Sequence, residues 1–189
     1  MQTPSTTGPL PFEALAQLDE AAFMDRFAGV VEHSAWVVAR AWQRRPFASR
    51  EALLTAMTTT IREASTAEKL ALLDRHPELA GREALTGTMT TESNAEQGRL
   101  GLMALSRVEL DRLTELNRRY RERFGFPFVV ALRLHATLAS VFDSFEQRLQ
   151  SSPEQELEAA LGQVFEVMRG RLAVCLQENP SHNPALSPV

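Results

Sequence analysis

Residues 106–125 read SRVELDRLTELNRRYRERFG, and this stretch predicts one long helix with both of its ends marked. Ser106 and Glu109 have the spacing of a capping box, in which each side chain binds the backbone N–H of the other residue. Gly125 is a typical helix stop because glycine adopts the left-handed conformation without steric cost. The apolar positions between these ends recur at helical spacing on one face: Leu113, Leu116 and Tyr120. The stretch therefore predicts an amphipathic helix that packs against other helices.

The rest of the chain repeats this helical pattern. Further N-cap candidates precede apolar periodic runs at Asp19, Ser34, Ser49, Ser65 and Ser152. Leu53, Met57 and Ile61 fall four apart on one stripe, and the last helix is expected to run to about Gln177. FVVAL at 128–132 is a strand candidate that is too short and isolated to build a sheet. The sequence predicts an all-α, single-domain bundle of about seven to nine helices.

Composition narrows the functional class. The chain has 189 residues, of which 44% are hydrophobic and 23% are charged, as expected for one globular domain over 1–189 with flexible ends at about 1–10 and 180–189. Twenty Lys and Arg against 24 Asp and Glu give a net charge of −4, which argues against nucleic-acid binding. The single cysteine, Cys175, suits a reducing cytoplasm, and we find no signal peptide or membrane-spanning run.

A histidine stands at a predicted helix end in LLDRHPELAG, residues 72–81. The residue before a proline is biased away from the helical region, so His76 is expected at or just beyond the last turn. The helix carbonyls there favour a protonated imidazole, and a surface partner of the helix dipole is one interpretation of His76. The long loop that follows, at 80–93, is of a kind that often carries function.

The segment SNAEQGRLGL at 93–102 follows that loop. Ser93 and Glu96 have capping-box spacing, so they predict a helix start. The same geometry offers free backbone amides to an anionic or carbonyl-bearing ligand. The structural and functional interpretations are compatible here.

Two arginines lie near the middle of the last predicted helix, and helical phase separates them. At about 100° per residue, Arg171 points between the directions of four apolar or sulfur-containing side chains, whereas Arg169 points the opposite way. Those side chains are Leu157, Val164, Met168 and Cys175. A buried guanidinium needs an anion, so Arg171 predicts either a protein carboxylate or a ligand.

The remaining candidates carry weaker signals. His33 precedes a predicted helix and reads as a turn or capping residue, and His135 and His182 lack ligands at metal-binding spacing. No dinucleotide-binding, Walker-type or nucleophile-elbow motif occurs. We therefore expect neither a metal site nor a nucleotide cofactor.

Several segments in order resemble the signature of the OHCU decarboxylases, which act on 2-oxo-4-hydroxy-4-carboxy-5-ureidoimidazoline in urate breakdown. The segments are HPELAG at 76–81, SNAEQ at 93–97, GL at 101–102 and LNRRYRERFGFPFVVA at 116–131, together with EHSAW at 32–36, RPF at 45–47, FEQRLQSSPEQELEAAL at 145–161 and RGRL at 169–172. The similarity covers nearly the whole chain. Ala35 and Leu100 stand where the family usually has proline and alanine.

The resemblance implies roles for individual residues. It assigns catalysis to His76, Glu96 and Arg171. It assigns substrate binding to Pro77, Ser93, Asn94, Ala95, Gln97, Val129, Val130, Ala131 and Leu132. It further implies a cytoplasmic, homodimeric carboxy-lyase that converts OHCU to (S)-allantoin without a cofactor.

Two other functions remain open on the residues alone. A helical module could bind a small ligand or a peptide in a groove without turnover. A decarboxylase or hydrolase could act on a related ureido acid.

Overall fold

The computed structural model describes residues 8–81, 87–102 and 104–178. Within these ranges the chain forms eight α-helices and no strand beyond one isolated bridge between Leu10 and Leu176, which confirms the all-α prediction. The α-helices are α1 (Glu20–Phe27), α2 (Ala35–Trp42), α3 (Arg50–Glu63), α4 (Thr66–Asp74), α5 (Thr91–Arg99), α6 (Arg107–Phe124), α7 (Leu138–Arg148) and α8 (Pro153–Cys175). Short 3-10 helices occupy Phe12–Gln17, Ala28–Val30 and Leu132–Leu134.

The chain divides into two compact units. The first unit comprises the residues up to Ala64 together with those from Met168 onward, and the second unit comprises Ser65–Val167. Helix α8 contributes residues 153–167 to the second unit and residues 168–175 to the first.

The first unit packs α1, α2 and α3 around aromatic side chains. The Phe23 ring lies 4.7 Å from Phe27 and 5.0 Å from Trp42, in tilted pairs that add to the hydrophobic effect. The predicted apolar stripe of α3 is fully buried, as its spacing required: Leu53, Met57 and Ile61. Backbone bonds from Leu10 to Cys175 and Gln177 tie the two chain segments of this unit together.

The second unit has its core around Tyr120, on the apolar face of α6. The Tyr120 ring meets Phe128 and Phe145 edge to face, at centroid distances of 5.3 and 5.5 Å. Phe128 in turn stacks on Phe145 at 3.8 Å. This cluster fixes the segment after α6 against α7, because aromatic pairs have directional preferences that simple apolar contacts lack.

Most predicted helix ends are confirmed. Asp19 and Ser49 accept their cap hydrogen bonds, and both complete capping boxes are present, Ser65 with Glu68 and Ser106 with Glu109. Gly125 closes α6 in the left-handed region at φ 81°. Ser34 holds the N-cap position of α2 without a side-chain cap bond, and α8 ends at Cys175, two residues before the expected Gln177. The Leu176 N–H still donates to the Leu172 carbonyl as in a helix, but the Gln177 N–H donates to the Leu10 carbonyl, which ends the helical bonding.

The capping box of α6 is also an electrostatic feature. Hydrogen bonds from the Ser106 hydroxyl and backbone N–H hold the pKa of Glu109 below its ordinary value. A carboxylate in the first turn is further favoured by the helix dipole.

In the described ranges, none of the helices has both the length and the apolar composition that a membrane crossing requires.

Candidate active site

His76 lies just past the C-terminal end of α4, as the His-Pro pair predicted. Its backbone N–H donates to the Leu73 carbonyl at 3.1 Å, and its Nδ1 lies 3.1 Å from the Leu72 carbonyl oxygen. A carbonyl oxygen can only accept, so Nδ1 carries a hydrogen, and in the neutral form of the ring the lone pair is then on Nε2. Only 8% of His76 is exposed, which excludes the alternative interpretation of His76 as a surface partner of the helix dipole.

The turn after His76 is held by the side chain of Gln97. The Gln97 Oε1 accepts from the Ala80 N–H at 2.8 Å, and its Nε2 donates to the Glu78 carbonyl at 3.2 Å. Ala80 has a φ of 44°, a left-handed conformation that costs energy for a residue with a Cβ. Gln97 is buried, and its two hydrogen bonds hold this turn against α5. The sequence did not indicate this structural role.

A substitution at Gly81 tests the tightness of this turn. A Cβ at that position would lie 2.6 Å from the Glu78 Cβ and 3.2 Å from the Glu78 carbonyl oxygen. Arg121 binds the Glu78 carboxylate at 2.8 Å, which hinders relaxation of the turn. We expect Gly81→Ala to lower the free energy of unfolding by about 1–3 kcal/mol.

The matched control is Gly98→Ala in α5, where an added Cβ meets nothing within 4 Å. This variant should be as stable as the parent or more so, because alanine is the better helix former. Urea unfolding followed by circular dichroism measures the free energy of unfolding of both variants. Equal midpoints for the parent and Gly81→Ala would contradict the clash.

Helix α5 begins one turn earlier than the sequence predicted. Thr90 is its N-cap and accepts from the Ser93 N–H at 3.3 Å, so Ser93 stands inside the helix and the proposed capping box of Ser93 with Glu96 is wrong. The earlier start places Ser93 and Gln97 one helical turn apart on the same buried face. Glu96 beside them is half-buried. Asn94 and Ala95 are exposed, and residues 82–86 of the predicted loop at 80–93 lie outside the described ranges.

The segment Val129–Leu132 is buried and irregular, which leaves its backbone groups without a regular ladder. The Ala131 N–H donates to the Gln163 Oε1 at 2.9 Å. Within the described part of the chain, the N–H groups of Val129, Val130 and Leu132 have no hydrogen-bond partner. Buried donors are nearly always paired, so an oxygen-bearing ligand would satisfy these amides.

Two side chains of α5 join the predicted segments within the second unit. Gln97 bonds to the turn that follows His76, while the Arg99 guanidinium donates to the Leu132 carbonyl. The turn, α5 and the 129–132 segment are thus connected through one short helix. Within the second unit, the structure therefore brings these three segments of the predicted site together.

Arg171 lies in the first unit, and its charge is met by Glu32. Its Nη1 donates to the Glu32 Oε2 at 2.8 Å and to the Gly29 carbonyl at 3.2 Å. Arg171 is 7% exposed and Glu32 is 2% exposed. The inward direction of Arg171 is therefore confirmed, and the required anion is a protein carboxylate. Arg169 is exposed and pairs with Glu51, as helical phase predicted.

Sequence analysis did not identify Glu32 as a charge partner. A signal was present, because the glutamate follows Val30 and Val31 in an apolar run and is expected to be buried with them. A buried glutamate needs a cation, just as a buried arginine needs an anion. The two side chains are 139 positions apart, so spacing could not pair them.

The other histidines have local roles. His33 is exposed at a turn with φ 43°, as expected for a turn residue. His135 contacts the Ser140 hydroxyl at 3.0 Å, and partial burial lowers the pKa of His135. His182 lies outside the described residues. Across the ranges that the structure describes, no three His, Cys, Asp or Glu side chains are grouped to hold a metal.

A family model described as OHCU decarboxylase matches residues 16–173. The chain belongs to the OHCU decarboxylase family. The family resemblance inferred from the motifs is thereby confirmed.

Two proteins named as OHCU decarboxylases resemble the chain over most of their own length. It is 41% identical to 2-oxo-4-hydroxy-4-carboxy-5-ureidoimidazoline decarboxylase of Mus musculus over 82% of this chain and 86% of that protein. It is 38% identical to the protein of the same name from Haloferax volcanii, over 87% of this chain and 95% of that protein. A crystal structure of (S)-allantoin synthase matches 87% of this chain and 53% of its own, at 29% identity and a TM-score of 0.66.

Proposed function

We propose that this chain is a carboxy-lyase that converts OHCU to (S)-allantoin in urate degradation, acting as a single domain. Its family membership and the names of its relatives support this activity. The observation that carries the proposal is the placement of His76. The imidazole is buried, its Nδ1 is engaged by the Leu72 carbonyl, and its turn is bonded to α5 through Gln97.

The substrate can lose CO2 without an external electron sink. When the bond between C4 and its carboxylate breaks, the electron pair forms a double bond to C5. The electrons of the neighbouring C=N bond then move onto nitrogen, which takes up a proton. The product of this step is an enol that carries the original 4-hydroxyl group. This built-in acceptor supports our expectation of a cofactor-free reaction.

His76 is proposed to complete the reaction as an acid and base. The 4-hydroxyl loses its proton as C4 becomes a carbonyl, and C5 gains a proton on one face to give (S)-allantoin. Because Nδ1 is engaged by Leu72, Nε2 is the nitrogen that exchanges protons with the substrate. Imidazole suits this task because its ordinary pKa lies near neutrality.

The remaining residues are proposed to hold the substrate. Glu96 would accept hydrogen bonds from the ureido or ring N–H groups, and the catalytic role that the family resemblance implies for Arg171 stays a prediction. The amides of Val130 and Leu132 would donate to substrate oxygens. The other positions that the family resemblance assigns to binding are Pro77, Ser93, Asn94, Ala95, Gln97, Val129 and Ala131. Holding a substrate in the reactive orientation can lower the activation free energy by about 7–11 kcal/mol.

The function is tested by generating OHCU in situ from urate and recording circular dichroism of the product. With the protein present, allantoin should form faster and should show the signal of the S enantiomer. If the rate is unchanged and the product is racemic, the proposed function is wrong.

The cellular setting is part of the same proposal. We infer a cytoplasmic homodimer that binds no nucleic acid, on the strength of the resemblance, the acidic net charge and the single cysteine. Light scattering after size-exclusion chromatography should give twice the chain mass of 21.1 kDa. A monomeric mass would overturn the dimer.

A further inference from the structure

Arg148, the last residue of α7, makes an unusual set of contacts within the second unit. Its Nη1 donates to the Val129 carbonyl at 2.7 Å, and its Nε donates to the Glu156 Oε1 at 2.8 Å. Its Nη2 also donates to Glu156 and lies 3.2 Å from the Tyr120 hydroxyl. The side chain is 11% exposed. A guanidinium is suited to such a site because its planar fork donates in several fixed directions.

The surroundings leave Arg148 little freedom. Its guanidinium lies 4.5 Å above the Phe128 ring, which is itself stacked on Phe145. Glu156 is fully buried and accepts from the Tyr120 hydroxyl. Burial raises the pKa of Tyr120 well above its ordinary value, so the phenol stays a neutral donor. One positive and one negative charge therefore face each other in a rigid aromatic setting.

The bond to Val129 has a consequence for the neighbouring residue. A trans peptide is planar, so the Val129 carbonyl and the Val130 N–H point in opposite directions. By fixing the carbonyl, Arg148 fixes the direction of the amide. That Val130 amide is one of the donors without a partner in the described residues.

We propose that Arg148 is a positioning residue, which aims the Val130 N–H at a substrate oxygen by holding the Val129 carbonyl. This inference rests on the proposed function. Glu156 and Tyr120 keep the guanidinium in place, and the Gln163 bond to the Ala131 N–H fixes the next peptide in the same way.

The primary test is Arg148→Lys. A lysine keeps the positive charge beside Glu156, but its single ammonium group cannot reproduce the fork that spans Glu156 and Val129. We expect KM for OHCU to rise about tenfold, the equivalent of one lost hydrogen bond, with kcat changed less than threefold. Affinity for (S)-allantoin, measured by titration calorimetry, should fall by a similar factor. A purely structural role would instead lower the melting temperature and leave both values unchanged.

The control is Arg112→Lys. Arg112 also pairs with a carboxylate, Glu146, and lies 4.4 Å from an aromatic ring, Phe142, but it makes no hydrogen bond to the 129–132 segment. Its KM should equal that of the parent.

A double variant keeps the proposal testable if Arg148→Lys does not fold. Arg148→Met with Glu156→Gln removes both buried charges and keeps an acceptor for Tyr120, so it should fold if the single variant does not. A folded variant of either kind with unchanged KM and unchanged allantoin affinity overturns the positioning role. Absence of stereoselective turnover by the parent protein would instead refute the proposed function.

Discussion

Replacing His76 with asparagine is expected to lower kcat for OHCU decarboxylation by about 10²–10⁴-fold. The asparagine amide can still donate to the Leu72 carbonyl, which is the bond that Nδ1 makes in the parent protein. It cannot take up or release a proton near neutral pH. The turn should therefore survive while the acid-base step is lost.

The measurement is the rate of formation of optically active allantoin from OHCU generated in situ. His135→Asn is a matched control, because His135 also lies in the second unit and also contacts an oxygen through Nδ1, that of Ser140. This control should keep the parent rate. A His76→Asn enzyme within threefold of the parent would exclude His76 as the acid-base group.

Replacing Glu32 with leucine is expected to cost about 3–5 kcal/mol of unfolding free energy. The change removes the carboxylate 2.8 Å from the Arg171 guanidinium, which is 7% exposed and cannot lose its proton. The charge would remain buried without that partner. Urea unfolding followed at 222 nm gives the loss directly.

Two further variants separate this effect from simple removal of an ion pair. Glu51→Leu breaks the exposed pair with Arg169, two positions before Arg171, and should cost less than about 1 kcal/mol. Combining Glu32→Leu with Arg171→Met should recover much of the lost stability, since neither buried charge then remains. Equal costs for Glu32→Leu and Glu51→Leu would contradict the buried pair.

The same double variant also tests the catalytic role that the family resemblance implies for Arg171. If the double variant is folded and inactive, the arginine is needed for more than stability. A folded variant with full activity would assign Arg171 to structure alone.

Features that depend on near neighbours in the chain could be predicted from the sequence. The capping boxes of α4 and α6 and the glycine stop at Gly125 involve residues at most four positions apart. The inward direction of Arg171 follows from helical phase, and the position of His76 follows from the proline after it. The motif order was sufficient to identify the family.

The start of α5 shows where local signals compete. Thr90 and Ser93 can each cap a helix, and only Ser93 has a glutamate three residues later. The local pattern favoured Ser93, yet the chain uses Thr90 because Ser93 and Gln97 are then buried on one face. Tertiary burial outweighed the small advantage of a complete capping box.

The sequence by itself determined the all-α class, most helix ends and the family of this protein, because those depend on short-range bonding and on motif order. Only the tertiary structure decided that Glu32 meets Arg171, that Gln97 clamps the turn after His76, and that Arg148 holds Val129. These partners are 17 to 139 positions apart. Their pairing depends on which buried charges and orphaned backbone groups the packed helices bring within hydrogen-bonding distance.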